Sequence, residues 1–207
     1  MLFIQFPQIS QIIKMKNLNK IYESIVTENN GNQKLLLVHG LIEAPDYWQM
    51  YKHEKVVYEM RNYEVLFPYI DYRREYVKDY FKSEFKKLLG MANGVDLIIG
   101  HSLGGYTAFL LSNITHKNTI LINPSIDRSK TKLDIKEFDT DQEKTFSNPN
   151  IEIYLGTNDD VVPMYYTRDY VRDNNIKCDI HIMRDMGHNY YFDEIEEILD
   201  TSKFIKN

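Results

Sequence analysis

The stretch "DLIIGHSLGGYTAFLLS", Asp96–Ser112, narrows the choice of fold more than any other part of the chain. A short apolar run leads into Gly100-His101-Ser102-Leu103-Gly104, and an apolar run of helical length follows at once. Successive apolar residues without alternation suit a strand buried on both faces, as parallel strands are. G-x-S-x-G between such a strand and a helix is the pattern of a nucleophile elbow. The serine sits on a strained turn, and a bulky side chain two residues to either side would collide with that turn. The helix beginning there aims its unpaired N–H groups at negative charge formed beside the serine oxygen. Gly105 leaves room for close helix–sheet packing.

The rest of the chain agrees with a layered α/β architecture. Strand-like runs fall at Lys34–Val38, Glu64–Pro68, Val95–Ile99, Thr119–Ile122, Ile151–Leu155 and Asp179–Met183. Helix-like runs fall between them at Tyr47–Met60, Tyr72–Leu89, Gly104–Asn113, Met164–Asp173 and Phe192–Ile205. In the second of these, Tyr76, Tyr80, Phe81, Phe85, Leu88 and Leu89 recur at helical spacing and form a face expected to pack on the sheet. This alternation implies a mostly parallel six-stranded sheet with helices on both faces, and a ligand site beyond the carboxyl ends of the strands. No repeat, linker or composition break divides residues 34–207, which read as a single domain. Residues 1–33 read as an N-terminal extension, helical or partly disordered, with Met1 or Met15 as the true start.

A serine hydroxyl becomes a useful nucleophile only beside a general base that an acid orients. After a G-x-S-x-G elbow the chain order is serine, acid, histidine. Of six histidines, only His181 and His188 come late enough. His181 falls inside "CDIHIM", where its side chain is spent on a sheet face. His188, in "RDMGHNYYF", follows the last strand, and Gly187 allows a tight loop that carries the imidazole over Ser102. The acid belongs after the preceding strand, where "IEIYLGTNDDVVP" offers Asp159, the first choice, and Asp160, the reserve. Whichever is not the acid serves as a turn residue or helix cap.

A tetrahedral intermediate also needs two preorganised donors for its oxyanion. One is the N–H of Leu103, directly after the serine. The other belongs to the loop "HGLIEAP", where Gly40 lets the backbone turn so that the Leu41 amide faces the pocket. His39 then reads as a buried histidine bonded to that loop rather than as a catalytic group.

Composition removes other classes. The formal net charge is −5 and the basic residues lie beside acidic ones, so a nucleic-acid partner is not expected. Cys178 is the single cysteine, which excludes an internal disulfide and a cysteine metal cluster and suits a reducing, cytoplasmic setting. No apolar run reaches transmembrane length, and the apolar N-terminus lacks the basic start and small-residue cleavage site of a secretory signal. A homodimer is left open.

At the level of whole stretches, the chain resembles the α/β-hydrolase superfamily, and within it the small YqiA-type bacterial esterases. "LLLVHGLIEAP", "GHSLGGYTAFLLS", "ILINPS" with Asn123-Pro124, "GTNDDVVP" and "MGHNYYF" carry the resemblance, which spans Leu35 to Phe204. It implies an α/β-hydrolase fold and a cofactor-free, metal-free esterase or thioesterase using Ser102, Asp159 and His188. Caps in that superfamily are inserted after the Asn-Pro strand. Here the segment from Pro124 to Asn150 is short and charged, so a minimal cap, an open cleft and small acyl substrates are expected. Glu43, in the oxyanion loop, is expected to disfavour anionic substrates if it faces the cleft. Tyr69, Tyr72, Tyr106, Tyr165, Tyr166, Tyr190 and Tyr191 lie near strand ends, most of them expected on helix faces and interfaces rather than lining the pocket. Two other readings stay open: a non-catalytic binding protein on a hydrolase scaffold, and the same triad in peptide, carbon–carbon or acyl-transfer chemistry.

Overall fold

Helices separate most of the strands in the computed structural model, which describes residues 33–41, 45–70, 72, 78–127, 129–130 and 148–205. The elements are β1 (Gln33–Val38), α1 (Pro45–Met60), β2 (Tyr63–Leu66), α2 (Lys78–Asn93), β3 (Leu97–His101), α3 (Ser102–Thr115), β4 (Asn118–Ile122), β5 (Ile151–Asn158), α4 (Met164–Asp173), β6 (Asp179–Gly187) and α5 (Phe192–Thr201). All six strands are parallel, in the order β2-β1-β3-β4-β5-β6. The fold class expected from the sequence is the one observed.

Residue alternation along the strands divides the core in two. Leu36, Val38, Ile98, Leu121, Ile153 and Leu155 face α2, α3 and α4. Leu35, Leu37, Leu97, Ile99, Ile120, Ile122 and Tyr154 face α1 and α5. Both sets are buried, which is why these strands read as continuous apolar runs. The last apolar residues of the expected second-helix stripe, Phe85, Leu88 and Leu89, do pack on the first of these clusters; the side chains of Tyr76, Tyr80 and Phe81 lie outside the described residues.

Several boundaries differ from the sequence expectation for local reasons. β3 starts two residues later than expected because Asp96 is a bend whose carboxylate accepts the Lys34 N–H at 2.8 Å. α2 runs past Gly90, whose Cα faces open space, and stops before Gly94. α5 ends at Thr201, four residues short of the expected Ile205, because the Ser202 hydroxyl and the Lys203 N–H turn inward to donate to the buried Glu152 carboxylate at 2.6 and 3.0 Å. α3 begins directly at Ser102, with no loop between strand and helix.

The order of strands locates the crevice. From β1 the chain crosses one way to β2 and then back the other way to β3, so the connections after β1 and β3 diverge. A switch of this kind opens a cleft at the carboxyl ends of the two strands. The loop beginning at His39 and the elbow at Ser102 flank it.

Candidate active site

Ser102 is the first residue of α3 and has φ 55°, a left-handed conformation that costs a side-chain-bearing residue strain. The glycines around it answer close approaches. A Cβ on Gly100 would stand 2.5 Å from the Gly104 carbonyl oxygen, and one on Gly104 would overlap the carbonyls of Val38 and His39. Close backbone packing therefore fixes the elbow between β1 and β3. The Leu103 N–H lies in the first turn of α3, where helix amides have no intrahelical acceptor.

His188 follows β6, three strands away from β3 in the sheet. It reaches Ser102 because β6 bulges: Met183 pairs with Gly156 and Gly187 with Asn158, so β6 carries extra residues over that interval, with Asp185 at φ 63°. The bulge bends the strand end back over the sheet. His188 Nε2 comes to 3.0 Å from Ser102 Oγ. On the other side of the ring, Nδ1 lies 2.9 Å from Asp159 Oδ2 and 3.1 Å from Oδ1. A carboxylate only accepts, so Nδ1 carries the proton and the Nε2 lone pair faces the serine hydroxyl. Asp159 is buried, and its Oδ1 also accepts the Val161 and Val162 N–H groups at 2.9 and 2.7 Å. Asp160 is exposed.

Thus Ser102, His188 and Asp159, singled out by motif and chain order, converge in one line of hydrogen bonds. His181 lies elsewhere, stacked on Tyr154 with ring centroids 4.5 Å apart.

The loop after β1 is pinned on both sides of Gly40. Its N–H donates to Tyr51 Oη at 2.8 Å, and its carbonyl accepts from His39 Nδ1 at 2.7 Å. That carbonyl shares a planar peptide with the Leu41 N–H, so fixing one orients the other. His39 is itself held by the Ile70 N–H, which donates to Nε2 at 2.8 Å, and by Tyr72 Oη, which donates to the His39 carbonyl at 2.8 Å. Burial, only partly opposed by the bond to Gly40, pushes the His39 ring down to about 4, so it stays neutral. His39 is a structural histidine bonded to the loop. A Cβ on Gly40 would stand 3.0 Å from Ser102 Cβ, which shows how closely this loop approaches the elbow. Ile42, Glu43 and Ala44 lie outside the described residues, as do Arg128 and residues 131–147 of the expected cap segment.

Three groups to which the sequence assigns no role in the site complete the surroundings. His101 Nε2 donates to the His188 carbonyl at 2.8 Å. Asn123, after β4 at φ 43°, donates from Nδ2 to the carbonyls of Gly187 and His188 at 2.8 and 3.1 Å and accepts the Gly156 N–H at 2.8 Å. It ties the acid-bearing strand to the histidine loop, which gives the Asn-Pro pair noted in the sequence a physical reason. Tyr190 Oη donates at 2.6 Å to Glu54, a fully buried carboxyl on α1. Of the tyrosines near strand ends, Tyr72, Tyr106 and Tyr190 are buried, whereas Tyr69, Tyr165 and Tyr191 are exposed.

Residues 34–145, more than half of the chain, match the model of Uncharacterised protein family UPF0227, the group of the YqiA-type proteins, and the chain belongs to that family. The match includes Ser102 and stops before Asp159 and His188. Among curated proteins none matches the chain. Solved structures share its fold at low identity. The esterase domain of a Rhodothermus marinus protein aligns with a TM-score of 0.57 and 13% identity, over 83% of this chain and 84% of that one. A member of the α/β serine hydrolases without lid from Xanthomonas campestris aligns at 0.54 and 12%, over 80% and 76%. An α/β hydrolase enzyme from the sediment metagenome of the Mar Chica lagoon, Morocco, aligns at 0.54 and 18%, over 83% and 89%. The fold is that of the α/β-hydrolase superfamily.

Proposed function

We propose that this UPF0227 member is a serine hydrolase that cleaves carboxylic esters or thioesters of small acyl groups through an acyl-enzyme. The observation that carries the reading is the continuous line Asp159–His188–Ser102, with its two bonds at 2.9 and 3.0 Å and the serine on a strained elbow at a helix N-terminus. His188 Nε2 takes the hydroxyl proton as Ser102 Oγ bonds to the acyl carbon, and Asp159 stabilises the imidazolium. The Leu41 and Leu103 amides hold the oxyanion. His188 then returns the proton to the departing alcohol or thiol. Water, deprotonated by the same ring, releases the acid and restores the serine. The steps call on no cofactor or metal. The strain at Ser102 favours this over a non-catalytic scaffold, because a binding protein gains nothing from holding a serine at positive φ.

The test is hydrolysis of p-nitrophenyl esters from acetyl to palmitoyl by the wild type and by Ser102→Ala, with mass spectrometry of the fluorophosphonate adduct. The expected result is turnover that favours short chains, a loss of roughly 10⁴-fold or more in the variant, and an adduct on Ser102. Turnover that survives the substitution overturns the reading, and equal turnover of palmitoyl esters overturns the small-acyl preference.

A further inference from the structure

Between the loop after β1 and the loop after β6 runs a buried row of hydrogen bonds that the proposed chemistry does not itself use. The Gly40 N–H donates to Tyr51 Oη at 2.8 Å. Tyr51 Oη lies 2.6 Å from His101 Nδ1, and His101 Nε2 lies 2.8 Å from the His188 carbonyl oxygen. The two ends fix the direction of the whole row. A backbone N–H can only donate and a carbonyl can only accept. Tyr51 therefore has its one proton left for His101 Nδ1, and His101 must carry its own proton on Nε2. Each bond in the row then has a single proton, and every bond points from Gly40 towards the His188 carbonyl. Tyr51 and His101 are 1% and 2% exposed, so water cannot substitute for a lost partner. Burial, reinforced by the neighbouring His188, holds the His101 ring well below the usual histidine range, so it remains the neutral tautomer the row requires.

The two loops joined in this way are the ones whose relative position matters to acyl transfer. One orients the Leu41 amide, through the pinned peptides on either side of Gly40. The other carries the imidazole over Ser102. His101 also precedes Ser102 directly, so its ring is anchored to the elbow by covalent geometry. The ring of His101 packs against those of His188 and Tyr190, each with centroids 4.9 Å away.

We propose that Tyr51 and His101 are positioning residues, forming a one-way strut that sets the distance between the oxyanion loop and the base-bearing loop; this rests on the serine-hydrolase reading above. The bonds of the row reach the His188 backbone carbonyl and not its ring nitrogens. Loss of the strut lets the two loops drift apart by tenths of an ångström, which weakens transition-state contacts more than substrate binding. The signature is therefore a fall in kcat at nearly constant KM.

The experiment compares steady-state kinetics on the best p-nitrophenyl ester for the wild type, Tyr51→Phe, His101→Leu, His101→Gln, Tyr154→Phe and Ser102→Ala, alongside thermal unfolding. Tyr51→Phe removes only a hydroxyl, and it should lower kcat roughly 10- to 100-fold with KM little changed. His101→Leu should lose at least as much. A glutamine amide accepts at one atom and donates at the other, so His101→Gln should recover about tenfold or more over His101→Leu. Tyr154→Phe removes the hydroxyl of another buried side chain, one whose partners are Glu152 and Thr201 rather than either loop, and it should leave kcat at the wild-type value. Wild-type kcat in Tyr51→Phe, no recovery in His101→Gln, or an equal loss in Tyr154→Phe would each overturn the strut. Activity that persists in Ser102→Ala would instead bring down the hydrolase reading on which it rests.

Discussion

The two faces of the sheet are held by different physics. The face covered by α2, α3 and α4 carries a large apolar cluster that includes Leu36, Val38, Phe109 and Leu110. Its buried hydroxyls are spent on nearby carbonyls: Thr107 donates to Leu103 and Ser112 to Phe109 within α3, and Thr167 to Pro124. On the face covered by α1 and α5, two carboxyls are buried, and each collects donors from elements distant in sequence. Glu54 accepts from Tyr58 at 2.9 Å and from Tyr190 at 2.6 Å. Glu152 accepts from Ser202, Lys203 and Tyr154. The first face is specified by volume and the second by direction. The elbow helix sits on the first, where close packing fixes its depth. The histidine loop is tied to the second, where directional bonds set its orientation.

If that contrast is right, the largest single loss should come from the volume-specified face and should not depend on pH. Phe109, 2% exposed in the middle of α3, fills its site with a hydrocarbon ring. Phe109→Ala leaves a cavity and should cost about 3–5 kcal/mol. Urea unfolding at pH 5 and pH 8 should give the same loss at both. A loss confined to one pH would mean that ionisable groups support this face as well.

The direction-specified face should respond to pH instead. Burial pushes the Glu54 carboxyl up to about 7, against the opposing bonds from Tyr190 and Tyr58. Its unfolded value lies near 4.5. Below the unfolded value both states are protonated and Glu54 contributes no pH dependence. Between the two values the folded state retains a proton that the unfolded chain releases, so stability falls as pH rises through this window. Above the folded value the wild type bears the full cost, about 3 kcal/mol. Gln has no such proton. Glu54→Gln should therefore gain on the wild type as pH rises from 4.5 to 8, by up to about 3 kcal/mol. Parallel stability curves for the two proteins would show that Glu54 does not titrate in this window.

The same contrast explains what could be read from the sequence. The apolar runs of β1, β3 and β4 and the G-x-S-x-G elbow are local signals. So is the choice of His188 over His181, because the one follows a strand and the other lies within it. The volume-specified face was legible for this reason. The exposed Asp160 and buried Asp159 could only be ranked, since a one-residue difference in loop direction leaves little trace in composition. Tyr51, Glu54 and Tyr58 lie at helical spacing on one face of α1, and that periodicity was the available signal. A glutamate in a helix is ordinarily solvated, however, so the pattern alone does not single out a buried carboxyl. Its partner Tyr190 is 136 residues away, and His101 meets the His188 carbonyl across 87. Hydrogen bonds over such separations exist only once the sheet is assembled. The late start of β3 and the early end of α5 are hidden for the same reason: each boundary is set by a contact from another element.

The smallest effect belongs to the rim of the direction-specified face. Arg61, just after α1, donates to Glu196 at 2.7 Å and to Asp200 at 3.0 Å on α5. These bonds join the same two helices that the buried carboxyls serve, and in a drawing they look alike. Water reaches them, however, because the side chains of Arg61, Glu196 and Asp200 are 27, 33 and 61% exposed. Solvent can replace each lost bond, and salt screens the attraction that remains. Arg61→Ala should therefore cost about 1 kcal/mol or less, and the cost should shrink further in 1 M sodium chloride, where the screening length is about 3 Å. Glu54→Gln should keep its pH-dependent gain at that salt concentration, since the buried carboxyl is beyond the reach of counterions. A salt-insensitive loss at Arg61 would move this pair from the solvated rim into the directional core, and the line between the two kinds of contact would have to be drawn further out.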